Sequence, residues 1–219
     1  LAVRAGIRAM VDVQTAAVQN DPPELLAEAR WFLQQALVFL TPTSPVLIAI
    51  GGLSGSGKTT IARQIAPLIG AFPGAIHLRS DLERKAHFNV PAYEKLPAAA
   101  YEPQVSDTVY QIMRTKAQVS LGAGQAVILD GVHATPDERA MAAKIAQQAG
   151  CDFHGFWLEA DTALRVQRVT HRGPDASDAD AQVAARQDDL QTGEIGWTQL
   201  DAALAPEALI AAILAQVQA

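Results

Sequence analysis

One segment restricts what this chain can fold into more than any other: Pro45-Val-Leu-Ile-Ala-Ile50 followed by Gly51 and Gly52-Leu-Ser-Gly-Ser-Gly57-Lys58-Thr59-Thr60. An apolar run reads as a buried strand, three spaced glycines follow, and Lys58 opens a helical pattern. That is G-x-x-x-x-G-K-[ST] in the required setting, a strand in front and a helix behind. Glycines let the backbone curl until its N–H groups point inward, and the helix adds the positive end of its dipole. Such a nest holds phosphate. Gly52, Leu53, Ser54, Gly55, Ser56, Gly57, Lys58, Thr59 and Thr60 are therefore the expected cradle of a nucleotide. Lys58 is expected on the β- and γ-phosphates and the Thr59 hydroxyl on Mg²⁺. The bland alternative, a flexible Gly/Ser loop before a helix, seldom sets a Lys-Thr pair in this register.

Strand-like and helix-like segments alternate from there. Strands are predicted at 46–50, 75–79, 126–129, 153–158 and 197–200. Helices are predicted at 58–69, along the apolar positions 105–119, at 136–149, 162–172 and 206–217, with another ending near Leu190. Residues 82–104, punctuated by Pro91, Pro97 and Pro103, are expected to be irregular. Apolar strands alternating with helices build a parallel sheet covered on both faces. The expected fold class is α/β, three layers around a five-stranded parallel sheet. In front of it, residues 24–40 carry apolar groups at 25, 29, 32, 33, 36, 37 and 40, a helical stripe entered through Asp21-Pro-Pro. A shorter helical pattern fills 2–18, and Thr41-Pro-Thr-Ser-Pro45 breaks the chain. The domain reading is a helical extension over 1–44, or the tail of an upstream domain, then one α/β domain over 45–219.

Composition narrows the chemistry. With 219 residues, 49% of them hydrophobic, there is enough apolar surface for one such core. The single Cys151 excludes an internal disulfide and argues against a zinc cluster; a small core residue is its expected role. The five histidines lack H-x₃-H or H-E-x-x-H spacing, so no metal beyond Mg²⁺ is indicated. No stretch is long and apolar enough for a membrane span, and no leader pattern opens the chain, so a cytoplasmic location without membrane contact is expected. A formal net charge of −6 argues against a surface that grips nucleic acid by neutralising phosphates. The first residue is Leu1, not Met, which points to missing earlier residues.

Ligands of parallel sheets bind outside the carboxyl ends of the strands, so the residues just after each strand are the ones to inspect. After the second comes Arg79-Ser80-Asp81-Leu82-Glu83-Arg84. Asp81 is placed to take a proton from a substrate hydroxyl or to hold a Mg²⁺ water. Arg84 lies on the same side if a helical turn follows, and could clamp substrate. Helix capping by Ser80 or Asp81 and a surface ion pair by Arg84 are the alternatives. After the third strand comes Asp130-Gly-Val-His133. Asp130 sits where a Mg²⁺-positioning acid stands, or simply starts a turn with Gly131. The division of labour between Asp81 and Asp130 stays open, and His133 stays unassigned. Arg165, Arg168 and Arg172 share a helix face. Arg172, nearest a Gly-Pro- and Asp-rich segment that would form a lid near 172–182, is the first choice for the phosphates. Arg168 is the second, packed along the adenine, and Arg165 is expected to be structural. The acids of the lid are expected to face solvent, to bind Arg172 or to border a polar substrate. Tyr93 and Tyr101 offer stacking faces for a substrate and Arg79 and Arg84 offer anion contacts, although the tyrosines could equally just pack. Arg186 is a weaker candidate for the phosphates.

Taken together, these residues resemble the P-loop kinases of the AAA-type and polynucleotide-kinase-like group, whose relatives include gluconate, shikimate and chloramphenicol kinases and the zeta toxins. The likeness covers about residues 45–219. Asp81-Leu-Glu-Arg84 looks like the family's Asp-x-x-Arg, with its general base and substrate-side arginine. Gln167-Arg168-Val-Thr-His-Arg172-Gly173 looks like its lid arginine segment. Leu129-Asp130, followed by Thr135-Pro-Asp-Glu-Arg139, resembles the third strand and next helix entry of phage polynucleotide kinases. The chain also looks like the kinase half of bacterial proteins that carry an aminoglycoside-phosphotransferase-like domain in front. The resemblance implies a P-loop NTPase fold and an ATP- and Mg²⁺-dependent kinase acting on a hydroxyl of a small polar molecule. Its rivals are a 5′-hydroxyl polynucleotide kinase, disfavoured by the charge, and a regulatory ATPase module of a larger protein.

Overall fold

A computed structural model of the chain describes residues 1–41 and 43–218; Pro42, inside the expected chain break, and Ala219 lie outside the described residues. By its contacts the chain divides into two units, Leu1–Thr43 and Ser44–Ala219.

The first unit is a helical hairpin of α1 (Ala2–Val18) and α2 (Pro23–Leu40). Asn20 and Asp21, both with positive φ, turn the chain between them. Small residues line the seam: Ala5, Ala9 and Ala16 on α1, Ala29 and Ala36 on α2 are all buried. The Arg8 guanidinium lies 5.6 Å from the centre of the Phe32 ring and 3.8 Å from Glu28.

The second unit runs β1 (Val46–Gly51), α3 (Lys58–Ile65), β2 (Ile76–Arg79), α4 (Ser80–His87), α5 (Pro103–Gly122), β3 (Val127–Asp130), α6 (Pro136–Ala149), β4 (Asp152–Glu159), α7 (Thr162–Thr170), α8 (Ala181–Arg186), β5 (Thr198–Asp201) and α9 (Pro206–Val217). Its five strands are all parallel and ordered β2-β3-β1-β4-β5. Side chains alternate across β1, as the strand's period of two requires. Ile48 and Ile50 pack with Ile61 and Ile65 of α3 and Leu209 and Ile213 of α9, while Leu47 and Ala49 pack with Val109 and Met113 of α5 and Ile145 of α6. Two cores on opposite faces of one sheet make the three-layer α/β fold. Close packing also decides Gly155 of β4, where an added Cβ would fall 2.5 Å from the Trp197 ring.

Several predicted boundaries move, two of them for a clear reason. The helix behind the phosphate loop ends at Ile65 and tightens into a 3₁₀ turn at Ala66–Leu68, because Pro67 has no N–H to continue the ladder. The beginning of the segment expected to be irregular, 82–87, belongs to α4. No apolar stripe announces that helix, since its buried face is charged: Glu83, Arg84 and Lys85 are the residues it hides. Lys116 of α5 pairs with Glu83 at 2.6 Å. Among the described residues, no helix is long and apolar enough to cross a membrane.

Candidate active site

β1 lies centrally, with β3 on one side and β4 on the other, so the crevice of this sheet opens where the chain leaves β1. The phosphate loop fills that position. Gly52, Gly55 and Gly57 all have positive φ, and Gly57 leads directly into α3. Gly55 has no alternative: a Cβ there would stand 2.4 Å from the backbone oxygen of Arg165. Gly55→Ala is thus expected to displace the loop, at a cost of about 1–3 kcal/mol. Calorimetry should show ATP affinity falling at least tenfold; unchanged affinity would mean that the loop is not the binding element.

The charged groups around the loop are tightly arranged. Thr59 Oγ1 donates to Asp130 Oδ2 at 2.7 Å, and His77 Nε2 lies 3.0 Å from the same oxygen. Burial would raise the Asp130 carboxyl, but the His77 hydrogen bond, the Lys58 charge and the Thr59 hydroxyl outweigh it and hold it below the usual range. Lys58 Nζ donates to Leu53 O at 3.0 Å, and burial draws its pKa down against the pull of Asp130 and Asp81. Asp81 behaves oppositely to Asp130. Burial pushes its carboxyl up and nearby Asp130 adds to this, with Arg79, 3.7 Å away, only partly offsetting the shift. One acid is held ionised beside the Thr59 hydroxyl; the other is made more basic. The Ser56 hydroxyl is buried without a hydrogen-bond partner within this curl of backbone.

A cleft of about 690 Å³ opens in front of these groups. Ser54, Gly55, Gly57, Lys58, Thr59 and Thr60 line it from the loop, Arg79, Asp81 and Arg84 from the end of β2 and from α4, Asp130 from β3, Tyr101 from the wall and Arg172 from the segment after α7. Gly52, Leu53 and Ser56 form the body of the loop and are not lining residues. Tyr93, expected at the substrate, is 73% exposed and stands away from the cleft. Arg186 also lies outside it.

The arginines divide in a way that helical spacing could not show. Arg165, fully buried, donates to Ala184 O at 2.8 Å and Ala160 O at 3.2 Å and pairs with Asp188, joining α7 to α8. Arg168, expected along the adenine, instead donates to Ser56 O at 3.3 Å and Ala202 O at 2.8 Å, bracing the loop from outside the cleft. Arg172 does face the cleft, donating to Ser177 O at 3.0 Å and Ala179 O at 2.9 Å. Arg84 also lines the cleft, but its guanidinium is committed to Ala100 O at 2.6 Å and lies 4.8 Å from the centre of the Tyr101 ring.

Of the acids in the Asp-rich segment, Asp180 is exposed, while Asp175 and Asp178 turn inward. Asp175 accepts from two nitrogens of Arg79, one at 3.0 Å, and lies 3.5 Å from Arg172. Asp178 accepts from Lys85 at 2.6 Å, the Leu96 amide at 2.9 Å and the Tyr101 hydroxyl at 2.6 Å. Gln187, for which no sequence signal existed, accepts from the Ser54 amide at 2.6 Å and ties this segment to the loop. Arg139, at the entry to α6, is buried, its guanidinium donating to the carbonyls of His133, Ala134, Thr192 and Glu194.

Known proteins share this fold. Rv2004c of Mycobacterium tuberculosis (strain H37Rv), an uncharacterized protein, is 32% identical over 200 residues, 88% of this chain. The chain spans 39% of the length of that relative, and the same holds for Mb2027c of Mycobacterium bovis. Among solved structures, a gluconokinase from Sinorhizobium meliloti superposes with TM-score 0.53 at 18% identity, covering 80% of this chain and 93% of that one. A sugar kinase from Janibacter gives 0.55 at 18% identity over 80% and 95%. The Mycobacterium tuberculosis APS kinase CysC, in complex with AMPPNP and APS, gives 0.51 at 18% identity over 81% and 100%. At these identities the likeness speaks to the fold, which is the P-loop kinase fold. A family model described as an AAA domain matches residues 47–192, and the chain belongs to that family.

Proposed function

We propose that this chain is an ATP-dependent phosphotransferase that moves the γ-phosphoryl group to a hydroxyl of a small polar molecule. The observation that carries the reading is the pairing of two unlike acids in one cleft. Asp130 is held ionised against Thr59, whereas burial makes Asp81 more basic. The curled loop fits a triphosphate, because Gly52, Gly55 and Gly57 turn its backbone through positive φ and the Ser56 hydroxyl is buried there without a partner. Thr59 and Asp130 supply the hard oxygen donors that Mg²⁺ takes, which needs only one or two protein groups beside phosphate oxygens. Mg²⁺-ATP supplies the phosphoryl group and screens its charge.

Each remaining role belongs to a named side chain. Asp81 accepts the proton of the acceptor hydroxyl, so that the oxygen can bond to phosphorus while the bond to the leaving diphosphate breaks. Lys58 and Arg172 neutralise charge on the transferring group. Arg79, Tyr101 and the lid acids border the acceptor. Incubation of the purified chain with ATP, Mg²⁺ and a panel of polyols, sugars, sugar acids, amino sugars and a 5′-hydroxyl oligonucleotide tests this. The expected result is ADP formation that depends on one small hydroxyl compound, matched by its phosphorylated product in mass spectrometry. Phosphate release regardless of acceptor would instead mark an ATPase module, and transfer only to the oligonucleotide would mark a polynucleotide kinase.

A further inference from the structure

Residues 173–180, between α7 and α8, have neither helix nor strand to hold their shape, yet two of their acids are pinned. Asp175 grips Arg79, two residues before Asp81, and Asp178 grips Lys85, four residues after it. Lys85 therefore lies one turn along α4 from Asp81, on the same face. The second anchor is the more complete. Both carboxylate oxygens of Asp178 accept from Lys85 Nζ, at 2.6 and 2.7 Å. One of them also accepts from the Leu96 amide at 2.9 Å and the Tyr101 hydroxyl at 2.6 Å, two residues that line the cleft. Lys85 is 1% exposed and donates to Glu94 O as well. On either side of Asp178, the carbonyls of Ser177 and Ala179 accept from a single nitrogen of Arg172, Nη2, at 3.0 and 2.9 Å. The Asp178 carboxylate is thus spent on α4 and the cleft wall, while the backbone around it holds the arginine.

We propose that Asp178, held by Lys85, is a positioning residue that fixes where Arg172 stands relative to Asp81. The inference rests on the phosphotransfer reading, in which Asp81 takes the acceptor's proton and Arg172 meets the transferring group. An arginine side chain has many rotamers, and two carbonyls restrain it only where the backbone that carries them is itself fixed. An irregular segment without ladder hydrogen bonds opens readily. Asp178 supplies the missing restraint. Its pair with Lys85 is nearly out of water, the two side chains being 10% and 2% exposed, and any displacement would strand a buried charge. α4 then carries both ends of the arrangement: Asp81 in its first turn and, one turn on, the lysine that secures the clamp on Arg172. Asp175 cannot be separated in this way, because it lies 3.5 Å from Arg172 and acts on it directly.

Calorimetry of Mg²⁺-ADP binding to the full chain, with and without aluminium fluoride, tests the proposal. Aluminium fluoride completes ADP into a mimic of the transferring phosphoryl group, so the tightening it adds reads the groups that meet that charge. Arg172→Ala is expected to cut this tightening about a hundredfold. Asp178→Ala leaves Lys58, Asp81 and Arg172 in place. It is expected to cut the tightening about tenfold, the worth of the hydrogen bonds it misplaces, with affinity for Mg²⁺-ADP alone within about twofold of the parent. Adding Asp178→Ala to Arg172→Ala should change nothing further, because residues that act through one another are not additive. Asp178→Ala by itself leaves Lys85 buried without a counter-charge. The double variant Lys85→Met, Asp178→Ala removes both charges, carries the same expectation and decides the matter where the single variant does not fold, with melting temperature as the check. Tightening fully retained in these variants, an equal loss with and without the fluoride, or a further loss on top of Arg172→Ala would each overturn the proposal. Its failure is separable from that of the phosphotransfer reading. No tightening by aluminium fluoride in the parent would remove that reading, whereas tightening that Arg172→Ala abolishes and Asp178→Ala spares would remove the positioning role alone.

Discussion

Asp81→Asn is expected to lower kcat by roughly 10²–10⁴-fold, the usual contribution of a positioned general base, with ATP affinity nearly unchanged. The asparagine keeps the size of the side chain and its place on α4 but cannot take the acceptor's proton. Asp130 cannot substitute, because its carboxylate is already bound to Thr59 and His77 and held ionised. A second consequence follows from the direction of the Asp81 shift. Burial raises its pKa in the folded chain above the ordinary carboxylate value of 3.8, so the folded state binds more protons than the unfolded one just above that pH. Stability is therefore lost as pH rises from about 4 through the raised value, and it stays reduced at neutral pH. The asparagine has no charge to desolvate. The variant should melt above the parent at neutral pH, and the gap should shrink as the pH falls below about 4. Retained turnover would remove Asp81 as the base, and a lower melting temperature at neutral pH would contradict its electrostatics.

Arg172→Ala should lower kcat by about 10³-fold or more, the range for an arginine that meets charge on a transferring phosphoryl group. Because Arg172 is the arginine after α7 that lines the cleft, its loss should act on the transition state more than on ground-state ATP binding. Arg168→Ala makes the contrast. Arg168 braces the carbonyl of Ser56 from outside, so its removal should loosen the loop and appear mainly in ATP affinity. Steady-state kinetics with ATP titrations on both variants distinguish them. If Arg172→Ala altered only affinity, Arg172 would be a binding residue.

How much of this was legible beforehand depended on whether a residue's role is local. Strands β1, β3 and β4 were readable because they are apolar runs, and α6 and α9 fell on their predicted bounds, each opened by a proline in the first turn. α4 was not readable, since its buried side is Glu83, Arg84 and Lys85, whose partners lie in other segments. The same limit applied to the arginines. Spacing placed Arg165, Arg168 and Arg172 on one face, but which of them meets the cleft depends on carbonyls supplied by residues 54, 56, 177, 179, 184 and 202. Tyr93 and Tyr101 were alike as sequence; only Tyr101 lies within reach of Asp178 and the cleft.

The amino-acid order alone determined the phosphate loop, the parallel layered sheet and the two acids at strand ends, because each of these is encoded in near neighbours: glycines where φ must be positive, apolar runs where a strand is buried, a lysine and threonine at a helix start. Only the tertiary structure decided that Asp130 and Asp81 differ in character, that Asp175 and Asp178 turn inward onto Arg79 and Lys85, and that His133 stands unpaired beside a second cavity. Those outcomes depend on burial and on charges brought together from distant parts of the chain, and electrostatic energy follows distance in space, not separation along the sequence.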